Sequence, residues 1–248
     1  ARRQTGEAEY GRDHVRLEDM NWMDVESYLQ TDDRLILVTG ACEQHGYLSL
    51  ATDSKIPLAL ADAASEKTGV PIAPPVPFGF SPGFAAYPGT ISLRLETLLL
   101  LVDDLVRDVY RQGFRRLLFL NGHGGNDPVQ GILEQLMLQL PGVYPSWHSW
   151  WESSSVEAVL ARSGLEVFHA GAVEAFPFTR VAPLPEGVKE PVMIDGMVDA
   201  AELRRKAGDG VFGGPYLVSA DVTQAVFQAA VDDVVGELER LRRRGTAA

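Results

Sequence analysis

The 248-residue chain has a single cysteine, Cys42, which excludes an intramolecular disulfide and any zinc site built on clustered thiolates, and suits a reducing compartment. Histidines and carboxylates must then supply any metal site. Positive charge is also short. The 22 Lys+Arg stand against 34 Asp+Glu, a formal net charge of −12, which is the wrong sign for a phosphate backbone, so no nucleic-acid partner is expected. Long hydrophobic runs are missing. Leu98–Val102 stops at Asp103 and Asp104, far short of the roughly 20 apolar residues a membrane helix needs. Ala1–Val15 has no apolar core of the secretory kind, so a cytoplasmic protein with no membrane contact is expected.

What is present reads as an ordinary globular chain. Apolar residues make up 46% and charged residues 23%, enough to bury a real core. Residues 1–16 read as a polar extension and 17–248 as one domain, with no low-complexity linker and no internal repeat. Arg34–Gly40, Val70–Val76 and Arg115–Asn121 are short apolar runs bounded by Gly, Pro or charge, the pattern of strands buried on both faces. Ser54–Thr68, Leu93–Gln112, Pro128–Leu138 and Asp221–Arg243 carry apolar residues at three- and four-residue intervals, as amphipathic helices do. Asp127-Pro128 has the form of an N-cap and first helical residue, and Gly113 that of a helix stop. Alternating strands and helices predict an α/β layered fold with a mostly parallel central sheet flanked by helices. In such sheets chemistry collects at the carboxyl ends of strands, here just after Val38 and Leu120.

Three clusters there carry chemistry. After the first run comes Glu43-Gln-His45-Gly46, with Asp53 eight residues on. Glu43 and His45, two apart in extended chain, project the same way. Imidazole and carboxylate together suit zinc, manganese, iron or nickel. The alternative is a hydrogen-bonded Glu43–His45 pair with Asp53 as a mere helix cap. After the third run comes Asn121-Gly-His123-Gly-Gly-Asn126, whose glycines allow close backbone approach and present His123, or could cradle an anion. The third cluster, His169-Ala-Gly-Ala-Val-Glu174, offers a group to move a proton and another carboxylate, or a buried hydrogen-bonded pair. Trp147, Trp150 and Trp151 crowd into five residues and suit a pocket wall, a core or a subunit contact. His148 lacks the glycine-and-carboxylate setting, and His14 reads as solvated.

Taken in order, Glu43-Gln-His45-Gly46, Thr52-Asp53, Tyr87-Pro-Gly-Thr90, Asn121–Asn126 and His169-Ala-Gly-x-x-Glu174 resemble the creatininase family over nearly the whole chain, from about Leu17 to the last helix. The resemblance implies a layered α/β fold with a parallel sheet, a homo-oligomer such as a hexamer, and two divalent metal ions, zinc or alternatively manganese or iron. It implies hydrolysis of an amide C–N bond in a small molecule, cyclic amides and formamides among them, and in one branch of the family a modified peptide. Carried over to this chain, it puts Glu43 and His123 on one metal, His45 on the other, Asp53 between them, and His169 in an acid/base role. Creatininases proper draw a further ligand from a Glu at the position of Gly125; here the resemblance hands that place to Glu174. The stretch His45-Gly-Tyr-Leu-Ser-Leu-Ala-Thr-Asp53 is one residue shorter than the family's usual His-Gly-Pro-His-Leu-Pro-Leu-x-Thr-Asp, and Glu174-Ala-Phe176 replaces Glu-Thr-Ser. These departures leave the ligands in place and point away from creatinine itself.

Overall fold

The computed structural model describes residues 15–244; residues 1–14 of the expected extension, with His14, lie outside them. Its elements in chain order are α1 (Trp22–Tyr28), β1 (Arg34–Thr39), α2 (Thr52–Thr68), α3 (Leu95–Gln112), β2 (Arg116–Asn121), α4 (Val129–Gln139), β3 (Tyr144–Ser149), α5 (Ser154–Arg162), β4 (Val188–Lys189), α6 (Ala200–Ala207), β5 (Gly214–Pro215) and α7 (Ala220–Arg242). Strands β1, β2 and β3 form a parallel sheet in that order, and β4 and β5 a small antiparallel pair. The expected layered α/β class holds.

The sheet separates two cores. Ile36, Val38, Leu118 and Leu120 face α2, α5 and α7, packing on Leu60, Val156 and Val234. Leu35, Leu37, Leu117 and Phe119 face α3 and α4, packing on Leu98, Val102 and Leu133. Successive strand residues alternate between the two, as the pleat requires, and both faces are covered, as a parallel sheet demands.

Val70–Val76 departs from the predicted strand. It runs beside β1 through parallel bridges at Ile36–Ile72 and Thr39–Val76, with Ala73 N donating to Ile36 O and Gly40 N to Val76 O. Pro71, Pro74 and Pro75 have no N–H to give, so the ladder is interrupted and no regular strand forms. Its neighbour Arg16 bridges to Ile72 from the other side. In space the order is thus Val70–Val76, β1, β2, β3, while along the chain that segment follows β1. The connections leave β1 and β2 in opposite directions, and a crevice opens between their carboxyl ends.

Helix boundaries shift for local reasons. α2 starts at Thr52 with Ala51 as its cap, so Asp53 is the second helical residue and not the cap. α4 starts at Val129 with Pro128 at the cap position and no side-chain cap bond, so Asp127 does not play the capping part read from the sequence. Gly113 does end α3, at φ 122°. β3 was not read as a strand because Pro145, Ser146 and His148 interrupt its apolar pattern. No helix among the described residues is long and apolar enough to cross a membrane.

Candidate metal centre

Three loops fill the crevice. The one leaving β1 carries Glu43 and His45 and enters α2, whose first turn brings Asp53 back beneath them. The one leaving β2 carries His123. The turn before Thr179 supplies His169 and Glu174. All six side chains meet, and Glu43, His45, Asp53, His123 and Glu174 are buried while His169 is partly open. His45 Nε2 lies 2.8 Å from Asp53 Oδ1 and 3.8 Å from Glu174 Oε2. His123 Nδ1 lies 3.1 Å from Asp53 Oδ2 and 3.3 Å from Glu43 Oε1, and His169 Nδ1 3.6 Å from Glu43 Oε1. Every residue read from the sequence as a candidate ligand or proton carrier is therefore in one cluster.

Close backbone approach makes this possible. A Cβ on Gly122 would stand 1.9 Å from Asp53 O, and one on Gly40 2.6 Å from the same atom; only glycine lets the ends of β1 and β2 close over the start of α2. Asn121 ties the strand ends together, its Oδ1 accepting from Thr39 Oγ1 and His123 N and its Nδ2 donating to His123 O. Ala170, at φ 61°, takes a conformation rare for a residue with a Cβ and gives its N–H to Glu174 Oε2 at 2.7 Å.

Each imidazole has one nitrogen engaged from behind. His45 Nδ1 donates to Glu43 O at 3.2 Å and His123 Nε2 to Phe80 O at 3.0 Å, since a carbonyl can only accept. Their other nitrogens turn to the carboxylates, the arrangement that outer hydrogen bonds give to metal-binding histidines. Burial alone would lower both pKa values, but the carboxylates outweigh it: Asp53, Glu174 and Glu43 hold His45 up at about 10, and Asp53 and Glu43 hold His123 up at about 11. Burial would likewise raise Asp53, yet the two imidazoles bring it below the usual carboxylate range. Burial pushes Glu174 up to about 7, and burial with the adjacent His45 brings His169 down to about 3.

Glu43 Oε2, His45 Nε2 and Asp53 Oδ2 are buried, and although polar atoms of the cluster lie 2.8 Å from His45 Nε2 and 3.1 Å from Asp53 Oδ2, none is aligned to make a hydrogen bond with them. Leaving such atoms bare is costly, and their convergence fits a cation. The possible ligand atoms fall into the trios Glu43–Asp53–His123 and His45–Asp53–Glu174, which share Asp53, and a third, Glu43–His45–His169, each within 4.8 Å.

A cavity of about 280 Å³ opens over the cluster between Phe84, Trp151, Val167 and the glycines of the β2 loop. Of the three clustered tryptophans only Trp151 lines it. Trp150 is buried against Phe176 and Trp147 stacks on Phe119. Phe84 stacks on His169 with centroids 4.5 Å apart. Its proline-glycine setting in the sequence gives no sign of this place. Gln44 and Ser81 also reach the cluster's histidines, and of these only Gln44 carries a signal in the sequence, its position between two candidate ligands.

The family model described as creatinine amidohydrolase matches residues 18–238. The chain belongs to the creatininase family. Among curated relatives, it is 28% identical over 222 residues to the mycofactocin precursor peptide peptidase of Mycolicibacterium smegmatis, covering 83% of this chain and 84% of that one. It is 34% identical over 123 residues to the creatinine amidohydrolase of Pseudomonas putida, covering 46% and 47%. A solved creatinine amidohydrolase superposes with a TM-score of 0.79 at 22% identity, covering 92% of this chain and 97% of that one, so the creatininase fold is shared.

Proposed function

We propose that this creatininase-family chain is a binuclear metal-dependent amidohydrolase that cleaves a non-peptide C–N bond, a cyclic amide or formamide, in a small molecule. The observation that carries the reading is the pair of ligand trios joined at Asp53, with three of their atoms buried and not hydrogen-bonded. Glu43 and His123 would hold one ion, His45 and Glu174 the other, and Asp53 would bridge. A mixed nitrogen and oxygen donor set suits zinc and also manganese; among the structural relatives one is described as creatininase Mn and another as a mutant creatininase of Zn-Zn type. Bound ions of this kind polarise a carbonyl and make water acidic enough to be a nucleophile near neutral pH.

The chain's own residues supply the rest. His169 takes up at Nδ1, the nitrogen facing the cluster, the proton that the attacking water releases, and hands it to the departing amine, which is too basic to leave unaided. Phe84 and Trp151 wall the cavity and orient the substrate against the cluster. Gly124 and Gly125 bring main chain to the cavity edge, where backbone N–H groups can meet a developing oxyanion. A homo-oligomer, such as a hexamer, is part of the proposal.

A second reading, hydrolysis of an amide in a peptide, is favoured by one observation: the match to the peptide peptidase spans 83% of this chain, whereas that to the creatinine enzyme spans 46%. A binding protein without turnover is the remaining alternative. Elemental analysis of purified protein, followed by a screen of lactams, cyclic ureas, formamides and short peptides at fixed metal occupancy, tests all three. Close to two ions per chain are expected, falling in Asp53→Ala together with hydrolysis. Full metal content and turnover in Asp53→Ala would refute the bridged centre.

A further inference from the structure

Gln44 sits between two candidate ligands, so its side chain projects away from them in extended chain, yet it is only 4% exposed. Its Nε2 donates to Gly210 O at 3.0 Å and its Oε1 accepts from Gly46 N at 3.1 Å. Those partners, one acceptor and one donor, fix the amide's orientation, because the flipped amide would face like with like. Its own N–H donates to Thr90 Oγ1. Gly210 is held tightly against it: a Cβ there would stand 1.9 Å from Gln44 Oε1 at a φ of +91°.

The same residue meets His169 twice. His169 Nε2 lies 2.9 Å from Gln44 O and 2.9 Å from Gln44 Nε2, one an acceptor and the other a donor. With its proton on Nε2 the ring donates to the carbonyl and turns a bare Nδ1 to the cluster, where it completes the ligand trio with Glu43 and His45. With its proton on Nδ1 the ring accepts from the Gln44 amide and turns an N–H toward Glu43 Oε1, 3.6 Å away. Each form makes one neutral hydrogen bond to Gln44, the first to its carbonyl and the second from its amide. Without the amide the second form would leave a buried Nε2 facing a carbonyl with no donor, which is costly, so it is the amide that makes the form with its proton on Nδ1 accessible.

Resting on the metal-dependent reading above, we propose that Gln44 is a positioning residue whose side-chain amide keeps His169 outside the metal shell, by supporting the ring form with its proton on Nδ1. A nitrogen carrying a proton cannot ligate. The carbonyl of the same residue remains in place as acceptor when Nδ1 must be free to take a proton up, so one residue serves both forms without turning the ring.

The test is ¹⁵N NMR of the histidines in the zinc-loaded chain, for the wild type, Gln44→Met and Gly210→Ala. Met keeps the bulk and removes the donor; the added Cβ of the second variant displaces the amide without altering a ligand. In the wild type, His45 and His123 should show metal-bound shifts and His169 a protonated Nδ1. In both variants His169 Nδ1 should move to a metal-bound shift with zinc content undiminished. Turnover should fall about 10–100-fold, the range for groups that orient metal ligands, with KM within about twofold. A wild-type His169 already on the metal, or one unmoved in a folded variant, overturns the proposal. Absence of metal-bound shifts at His45 and His123 as well would overturn the metal centre itself, an outcome separate from a change confined to His169.

Discussion

Gly125 shows how a single missing side chain bears on which carboxylates stand in the candidate centre. A Cβ there would lie 2.1 Å from Phe80 O and 2.4 Å from His123 Nε2, the two atoms whose hydrogen bond turns His123 Nδ1 to Glu43 and Asp53. A side chain at this position would have to separate them, so a carboxylate from here is unavailable and Glu174 stands beside His45 in its place. Gly125→Ala is therefore expected to weaken zinc binding about 10–100-fold, as loss of an orienting partner does, measured by competition with a chelator. Gly131→Ala is the control. It lies in α4 with nothing within 4 Å of its would-be Cβ, and it should leave affinity unchanged. Equal affinities across both variants would show that the Phe80 carbonyl does not govern the ring.

At the scale of elements, a buried tie between the sheet and the last helix is Arg34, at the start of β1. Its side chain is 3% exposed; Nε and Nη2 donate to Asp32, Nη2 to Oδ2 at 2.6 Å, and Nη1 donates to Leu238 O of α7 at 3.1 Å. Asp32, lowered by this guanidinium against the opposing effect of its burial, neutralises the buried charge together with Glu239, whose Oε1 lies 3.3 Å from Nη1. Removing Asp32 leaves the guanidinium only that longer and more exposed contact, so Asp32→Ala is expected to cost about 3 kcal/mol, the low end for a broken buried pair, read as a drop in urea midpoint, while the doubly substituted Asp32→Ala, Arg34→Met should recover part of it. How much of this was legible in the sequence follows from the same logic. Runs such as Arg34–Gly40 and Arg115–Asn121 declare themselves because a strand buried on both faces must be apolar throughout. The candidate ligands declare themselves because their residue types and order have few other uses. β3 does not, since Trp147 and His148 place aromatic and titratable side chains where packing against Phe119 and α7 alone makes them acceptable. Gln44 and Phe84 meet partners far away in sequence, such as Gly210 and His169, which no local pattern reveals.

For the whole molecule, the candidate centre lies in the crevice at the strands' carboxyl ends, while the layers packed along the strands consist mainly of other residues, so stability and chemistry respond largely to different groups. His148 tests that separation. It lies on β3 in register with Leu120, on the face that packs against α7, and its Nε2 and the Oδ2 of Asp233 are both buried without a partner. Burial lowers its pKa, and Arg240 adds to the lowering, against smaller opposing effects of Glu237 and Asp233. The fold thus holds the ring neutral, while in the unfolded chain it takes up a proton near its ordinary value of about 6.5. Above that value neither state binds the proton and its contribution to stability is fully present. As pH falls below it, the unfolded state binds the proton first, and stability is lost until the folded pKa is passed. With metal loaded, so that His45 and His123 are held by their ions, wild-type stability should fall between pH 7.5 and 5.5 more steeply than that of His148→Gln. The excess is bounded by about 1.4 kcal/mol for each pH unit below the ordinary value, the most one proton can contribute. Urea midpoints at the two pH values measure it. Equal losses in the two proteins would mean that the fold leaves the His148 pKa at its ordinary value, and a smaller loss in the wild type than in His148→Gln would mean that the ring is protonated within the fold, with Asp233 as its counter-ion.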